Sequence, residues 1–176
     1  MLFRSQHDAL TGIPNRALFE DRLQQALERG RRNHRTLGVL YLDVDHFKEI
    51  NDRHGHKAGD ELLIAFAERV RACLRSSDTV ARRGGDEFVA LIEGLASQED
   101  ARLVAEKIVT AMREPFRLSG AEIRATASVG VSLAIDGVGE TDELITRADQ
   151  ALYEAKARGR NTFHVKAEPA EGAAPP

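Results

Sequence analysis

The chain has 176 residues, 42% hydrophobic and 30% charged, which fits one globular domain with a single core. Its net charge of −3 excludes the broad basic surface of a protein that binds nucleic acid or anionic membrane. The single cysteine, Cys73, excludes an internal disulfide and a multi-cysteine metal site. Without a membrane-spanning apolar run or a signal peptide, the segment is expected to be cytoplasmic.

The first half of the chain predicts a helix, a strand and a second helix. Asn15 is a candidate N-cap for a helix through ALFEDRLQQALERGRR, whose leucines recur at helical spacing. The apolar run from Val39 to Leu42 predicts a buried central strand that ends in Asp43 and Asp45. Amphipathic spacing over residues 58–74 then predicts a helix that faces the core.

The second half predicts a hairpin, two more helices and two more strands. DTVARR and EFVALIE flank Gly84 and Gly85, which supply the positive φ angles of a tight hairpin turn. A helix through residues 101–112, a strand IRATASVGVSLA, a helix DELITRADQALYEAKARG closed by Gly159, and a strand NTFHV follow. The fold class predicted is α/β, with a mixed central β-sheet flanked by helices.

Three carboxylates are expected at one edge of this sheet. Asp43 ends the central strand, and Asp86 and Glu87 lie at the tip of a hairpin that is expected to pair beside it. Such a cluster is costly unless a cation compensates the charge, and oxygen ligands favour Mg²⁺ over Zn²⁺. On spacing alone, the alternative that Asp86 and Glu87 are only polar turn residues stays open.

GGDEF at residues 84–88 resembles the signature of the GGDEF family, diguanylate cyclases that join two GTP molecules into cyclic di-GMP. HDALTGIPNR at residues 7–16 resembles the family motif D-x-L-T-G-L-P-N-R, with Ile13 in place of leucine. DVDHFKEINDRHGHKAGDELL at residues 43–63 is similar to its D-x-D-x-F-K-x-x-N-D-x-x-G-H-x-x-G-D block, and ASVGVS and ALYEAKARGRN resemble its later strand and last helix. The resemblance implies the palm-like sheet shared with class III nucleotide cyclases and many polymerases.

The resemblance also implies domain boundaries. Residues 7–166 would form the catalytic domain, residues 1–6 the end of a truncated signalling helix or linker, and residues 167–176 a disordered tail or linker. The small, proline-rich and acidic composition of AEPAEGAAPP independently favours a tail without fixed structure.

The metal and catalytic residues are carried over from the family motif. Two Mg²⁺ ions, for which Mn²⁺ can substitute, would bind the GTP phosphates, one activating the 3′-hydroxyl and the other stabilising the α-phosphate and the leaving pyrophosphate. Asp86 would help to deprotonate the hydroxyl, and the two glycines would let the backbone approach the nucleotide. The metal and catalytic residues that the resemblance implies are Asp43, the carbonyl of Val44, Gly84, Gly85, Asp86 and Glu87.

The substrate-binding residues follow in the same way. A carboxylate and an amide that pair with the guanine edge would discriminate against ATP, which leaves buried polar groups unpaired. Without the family match, the preferred interpretations would be a turn residue for Asn51, an acid at a helix N-terminus for Asp60 and a solvated helix face for the cations. The implied residues are Asn51 and Asp60 for guanine, Lys48, Lys156 and Arg160 for phosphate, and the backbone amides of His46 and Phe47 for the β and γ phosphates.

RSSD at residues 75–78 resembles the family's inhibitory R-x-x-D site for the product. Arg75 would bind guanine or phosphate and Asp78 would accept from the guanine edge, with Lys107 as a secondary basic partner. The open alternative is an ordinary helix end followed by an aspartate that begins a turn. Separately, an ion pair between Asp8 and Arg82 is predicted.

The resemblance implies a set of partners. They are GTP, cyclic di-GMP, a second copy of the domain in the active state and a fused sensory or regulatory domain outside this chain, without nucleic acid or membrane contact in this segment. The alternative is a catalytically weak domain that binds GTP or cyclic di-GMP and regulates an attached partner, such as a phosphodiesterase. A polymerase palm shares the metal chemistry, but the chain lacks a basic groove for a template.

Overall fold

The computed structural model describes residues 6–166. The predicted tail at residues 167–176, and the predicted end of a signalling helix except for Gln6, lie outside the described residues. In chain order the helices and strands are α1 (Arg16–Asn33), β1 (Thr36–Val44), α2 (Phe47–His54), α3 (His56–Ala72), β2 (Thr79–Gly84), β3 (Glu87–Leu95), α4 (Gln98–Met112), β4 (Phe116–Arg117), β5 (Glu122–Ile123), β6 (Ala127–Ala134), a 3-10 turn (Ile135–Gly137), α5 (Thr141–Ala157) and β7 (Phe163–Val165).

The predicted mixed sheet is confirmed. Five strands lie in the order β2-β3-β1-β6-β7, with β1 at the centre and antiparallel to both of its neighbours. β7 pairs parallel to β6 and supplies the mixed character of the sheet. Strands β4 and β5 form a separate two-stranded ribbon.

Helices cover both faces of the sheet because side chains alternate along β1. Leu40 and Leu42 belong to the core cluster that contains the apolar stripes of α3 and α4. Val39 and Tyr41 belong to a second cluster, with the buried side chains of α1 and α5. Asp43 continues this second alternation, so it lies on the face that α5 covers.

The helix starts follow the local sequence. Asn15 caps α1 as predicted, and its side chain accepts a hydrogen bond from the Leu18 amide at 3.1 Å. Ser97 and Asp100 cap α4 reciprocally, each side chain accepting from the other residue's amide. Within residues 6–166, no helix is long and apolar enough to cross a membrane.

Some boundaries differ from the predictions. The block between β1 and α3 contains α2, an eight-residue helix with no buried residue, which is too short for an apolar stripe to reveal it. The strand predicted over IRATASVGVSLA is broken, because residues 122–123 pair with β4 and only residues 127–134 join the main sheet. The helix predicted over residues 58–74 spans His56–Ala72.

Candidate nucleotide and metal site

The strand register brings the predicted carboxylates to one edge of the sheet. Asp43, the second-to-last residue of β1, is paired with Glu87 of β3 on one side and with Ser128 of β6 on the other. Asp86 directly precedes Glu87 at the tip of the β2–β3 hairpin. The expectation that the hairpin pairs beside the central strand is therefore confirmed.

Burial raises the pKa values of Asp43 and Asp86. Asp43 is 6% exposed, and burial raises its pKa to about 6, against the opposing effect of Lys156. The negative charges of Asp86 and Asp45 raise this pKa further. Burial also raises the pKa of Asp86, while its own backbone hydrogen bond and the charges of Lys156 and Arg82 lower it.

Asp43 has one engaged and one unengaged oxygen. Lys156, near the end of α5, contacts Oδ2 of Asp43 through its ammonium group. Oδ1 is buried and has no hydrogen-bond partner among the described residues. A buried carboxylate oxygen without a donor is an energetic cost that a bound cation would remove.

A divalent cation fits this edge only with ligands from outside the chain. Within residues 6–166, no cluster of three or more His, Cys, Asp or Glu side chains has the arrangement of a metal site. Two aspartates and one main-chain carbonyl, that of the buried Val44 at the end of β1, are the available donors. Mg²⁺ commonly binds few protein groups and takes further oxygens from substrate phosphates, so the residues fit Mg²⁺ on a nucleotide.

Glu87 has a different environment from the two aspartates. It is exposed, and Oε2 accepts a long hydrogen bond of 3.4 Å from the Tyr41 hydroxyl. Burial, followed by the charge of Glu87, raises the pKa of Tyr41 to about 12, so the phenol keeps its proton. Arg83 lies over the Tyr41 ring at 5.7 Å and is 3.6 Å from Glu20, so two contacts compensate its positive charge beside the turn.

The glycine turn has the predicted backbone conformation. Gly84 has φ +143° and Gly85 φ +51°, both in the region that favours glycine. A Cβ atom at either residue would have no protein atom within 4 Å, so the backbone angles require glycine and space remains open beside the turn. Arg82 holds the tip by donating from Nε to the Gly85 carbonyl at 2.9 Å.

The predicted Asp8–Arg82 ion pair is confirmed. Arg82 donates to Oδ1 of Asp8 at 2.9 Å, and both side chains are largely buried. Oδ2 of Asp8 accepts from the amide and hydroxyl of Thr11. The pair therefore joins the N-terminal motif to the glycine turn.

The two predicted guanine-binding residues lie on adjacent helices, α2 and α3. Oδ1 of Asn51 is buried and has no hydrogen-bond partner among the described residues, while Asp60 is exposed. Gly59 lies directly against the Asn51 amide, because a Cβ atom at residue 59 would collide with that oxygen. A free acceptor and an exposed carboxylate are the groups required to pair with the donor edge of guanine.

The predicted phosphate-binding groups lie around the start of α2 and the end of α5. His46 adopts a left-handed conformation with φ +56°, and α2 begins at Phe47. Lys48 is exposed on this helix, and Arg160, with φ +64°, is exposed after α5. Lys156, by contrast, is engaged with Asp43.

The three residues of the predicted product site line one cavity of about 490 Å³, together with half-buried Cys73. Arg75 is 61% exposed, and Asp78 is only 2% exposed. Asp78 accepts hydrogen bonds from the amides of Arg75 and Glu93. It therefore stabilises the local turn, which agrees with the alternative of a helix end followed by a turn aspartate. Lys107 of α4 also lines this cavity, and a product-binding role for the three residues stays a prediction.

Asp45 was not among the predicted site residues, although the sequence marks it as a charge after an apolar strand. It is 4% exposed and accepts hydrogen bonds from Thr126, Ser128 and Asn161. These partners are about eighty and more than one hundred residues away along the chain. The pairing of β6 with β1 brings Thr126 and Ser128 to Asp45, and Asn161 precedes β7, which pairs with β6, so no local pattern could identify these partners.

Comparison with known proteins establishes the family. The family model described as "Diguanylate cyclase, GGDEF domain" matches residues 5–162, so the chain belongs to the GGDEF-domain family. The bifunctional diguanylate cyclase/cyclic di-GMP phosphodiesterase MucR of Pseudomonas aeruginosa is 49% identical over 158 residues, which cover 89% of this chain and 23% of MucR.

Solved GGDEF domains share the fold. The isolated GGDEF domain of TpbB (YfiN) from Pseudomonas aeruginosa superposes with a TM-score of 0.88 at 44% identity, covering 92% of this chain and 94% of that domain. The coiled coil and GGDEF domain of DgcB from Caulobacter crescentus, solved in complex with c-di-GMP, gives 0.85 at 27% identity, covering 94% and 87%. This chain spans 37% of the length of the curated diguanylate cyclase TpbB.

Proposed function

We propose that this chain is a diguanylate cyclase domain that condenses two GTP molecules into cyclic di-GMP and two pyrophosphates. The family membership and the curated diguanylate cyclases among its relatives support the reaction class. The observation that carries the proposal is the edge of the sheet where buried Asp43, with one unengaged oxygen, lies beside Glu87 and the glycine turn.

In the proposed mechanism, Mg²⁺ bound with GTP would activate the 3′-hydroxyl and neutralise phosphate charge. Asp43, the Val44 carbonyl and Asp86 would hold the ion through oxygen atoms. The carboxylate of Asp86 accepts the hydroxyl proton as the 3′ oxygen attacks the α-phosphorus and pyrophosphate leaves.

The remaining site residues bind and orient the nucleotide. Asn51 and Asp60 pair with guanine, so ATP would leave the buried Oδ1 of Asn51 without a donor. The amides at the start of α2, with Lys48 and Arg160, hold the β and γ phosphates. Lys156, which contacts Asp43 in this structure, would exchange that contact for a phosphate oxygen of bound GTP.

The proposal requires two copies of the domain. Each site holds one GTP, and ring closure forms two phosphodiester bonds, so two domains must present their nucleotides antiparallel to each other. A mixture of wild type with excess Asp86→Asn protein tests this requirement. Mixed pairs would form one bond and stop at the linear dinucleotide, whereas an enzyme that works as a monomer would keep producing cyclic product.

The proposal also includes inhibition of the cyclase by its product, cyclic di-GMP. The cavity lined by Arg75, Asp78 and Lys107 is large enough for a nucleotide base. Its lining does not include Asp43, Asp86 or Glu87. Exposed Arg75 and Lys107 supply the positive charge that phosphodiesters require. Binding of cyclic di-GMP there would reduce turnover without competing directly for the GTP site.

A regulatory domain is the second candidate. The ion pair between Lys156 and Asp43 favours it, because an internal cation already compensates the carboxylate that would bind metal. Such a domain would bind GTP or cyclic di-GMP and act on a fused partner. The relatives are longer than this chain, which supports a sensory or regulatory domain elsewhere in the same protein.

Product analysis separates the two candidates. Purified domain is incubated with GTP and Mg²⁺ at high protein concentration, beside Asp86→Asn as the matched control, and the products are resolved chromatographically. Cyclic di-GMP and pyrophosphate from wild type alone support the cyclase. GTP binding without either product, even after forced dimerisation, would support the regulatory domain.

A further inference from the structure

Asp45 joins three segments of the chain through one buried carboxylate. Oδ2 accepts from the Thr126 hydroxyl at 2.6 Å and from the Asn161 amide at 3.0 Å. Oδ1 accepts from the Ser128 hydroxyl at 2.6 Å, and the Asp45 amide donates to the Thr126 carbonyl at 2.9 Å. All three groups on the carboxylate are donors, so the network depends on an acceptor at residue 45.

The segments that Asp45 joins carry predicted phosphate-binding groups. His46 and Phe47 directly follow Asp45, and Arg160 directly precedes Asn161. His46, Arg160 and Asn161 have φ angles of +56°, +64° and +48°, the left-handed region that residues with a side chain rarely adopt. Three such residues in two loops persist only if surrounding contacts hold them.

We propose, on the basis of the proposed function, that Asp45 is a positioning residue for the triphosphate of GTP. Its carboxylate fixes the turn before α2 relative to the turn after α5. The amides of His46 and Phe47 and the side chain of Arg160 can then bind the same triphosphate. In this role Asp45 acts through the protein groups that its two oxygens accept from, and not as a ligand of a cation. The contrast with Asp43, whose Oδ1 has no donor among the described residues, assigns different roles to the two aspartates.

Three variants test the proposal. Asp45→Ala removes every acceptor from the network. Asp45→Asn keeps an oxygen for Thr126 and Asn161, and the Ser128 hydroxyl can rotate to accept from the new amide group. Asp52→Ala, which removes an exposed acid on α2, is the matched control.

Hydrogen exchange gives a readout that needs no substrate. In Asp45→Ala, amides of residues 46–50 and of residues 159–163 should exchange faster together, because the carboxylate joins the two segments. Asp45→Asn should restore most of the protection, and Asp52→Ala should leave residues 159–163 unchanged. Unaltered exchange at residues 159–163 in Asp45→Ala would overturn the positioning role.

Nucleotide binding separates positioning from metal ligation. The Kd of an unreactive GTP analogue is measured in the presence of Mg²⁺, at a temperature well below that of unfolding. It should rise about 10- to 100-fold in Asp45→Ala and return towards the wild-type value in Asp45→Asn. An Asp45→Asn protein that is as impaired as Asp45→Ala, with an altered Mg²⁺ dependence, would identify Asp45 as a ligand instead. If Asp45→Ala does not fold, Thr126→Val removes one donor and should produce the same changes to a smaller extent.

The two proposals fail in different ways. A wild-type protein that binds no GTP analogue refutes the proposed function, while hydrogen exchange still decides whether Asp45 joins the two turns. A wild-type protein that binds the analogue with an affinity that Asp45→Ala leaves unchanged refutes the positioning role alone.

Discussion

Lys156 and Asp43 form an ion pair at the end of the central strand, and Oδ1 of the same aspartate is left without a hydrogen bond among the described residues. The pair compensates only part of the cost of burying the carboxylate, because the pKa of Asp43 is still raised to about 6. A cation that binds Oδ1 would supply the remaining compensation. Lys156 therefore leaves Oδ1 of Asp43 as the oxygen that the proposed metal site would use.

The first prediction concerns the stability of Asp43→Asn. The pKa of Asp43 is about 6 in the folded protein and 3.8 as the ordinary value, so the folded state holds its proton more tightly. Wild-type stability should therefore fall as pH rises from about 4 through 6, and Asp43→Asn should lack this loss. In the presence of a metal chelator, the free energy of unfolding of Asp43→Asn should exceed that of wild type by about 3 kcal/mol at neutral pH and by almost nothing near pH 3.

Urea unfolding across this pH range measures the difference. Lys156→Met is the companion variant, because the lysine lowers the pKa of Asp43 and its loss should move the transition to higher pH. A stability difference between Asp43→Asn and wild type that stays constant with pH would contradict the assignment.

The second prediction concerns the pair of Asp8 and Arg82. Burial opposes ionisation of Asp8, but the hydrogen bonds from Thr11 and the charge of Arg82 outweigh it and hold the pKa below its usual value. Asp8→Ala should cost about 1–3 kcal/mol, because it leaves a largely buried arginine without its partner. Glu99→Gln, which breaks an exposed pair with Arg102, should cost at most about 0.5 kcal/mol.

The pH dependence of this pair has the opposite sign to that of Asp43. The stabilisation from ionised Asp8 is complete above its unfolded pKa of 3.8 and is lost as pH falls through its lower folded pKa. Thermal unfolding of wild type and Asp8→Ala should therefore converge in strong acid. Equal stability of the two proteins at neutral pH would refute the pair as a stabilising contact.

The third prediction uses the contact between Gly59 and Asn51. An alanine at a helical glycine normally stabilises by about 1 kcal/mol, but here the added Cβ would displace the Asn51 amide. Gly59→Ala should lower GTP affinity about 10-fold and weaken discrimination against ATP. Asn51→Ala should do the same, and adding Gly59→Ala to it should change affinity little, since the collision is then absent. GTP affinities are measured by calorimetric titration. A double variant whose loss of affinity equals the sum of the two single losses in binding free energy would contradict this interpretation.

The fourth prediction tests the product cavity through Cys73. Burial raises the pKa of this thiol, so alkylation is followed at mildly alkaline pH. Cyclic di-GMP should slow the reaction several-fold because Cys73 lines the same cavity as Arg75. Arg75→Ala should abolish this protection with little loss of stability, because the arginine is mostly exposed. Protection that persists in Arg75→Ala would place the product elsewhere.

The main elements were predictable because their patterns are long. The leucines of α1 recur at helical spacing, the short apolar run of β1 ends in charged residues, and Gly84 and Gly85 identify the hairpin turn. The short helix α2 has too few residues to show a helical period of apolar side chains. The break before β6 depends on the ribbon that residues 116–117 and 122–123 form, which two-residue strands cannot signal.

Sequence motifs identified the edge of the site, but not its internal contacts. The adjacency of Asp43 and Glu87 followed from a central strand beside a hairpin. The contact of Lys156 with Asp43 required knowing which face of the sheet α5 covers. The partners of Asp45 required the register of β6 against β1, which no local pattern encodes.

Whether the domain is a cyclase that works as a pair is decided by the initial rate of cyclic di-GMP formation from GTP and Mg²⁺, measured as a function of protein concentration. The proposed cyclase predicts that the rate per protein rises with concentration, because two domains must meet, and that Asp86→Asn yields no product. Absence of cyclic di-GMP at every concentration from a wild-type protein that binds GTP, including after forced dimerisation, would contradict it.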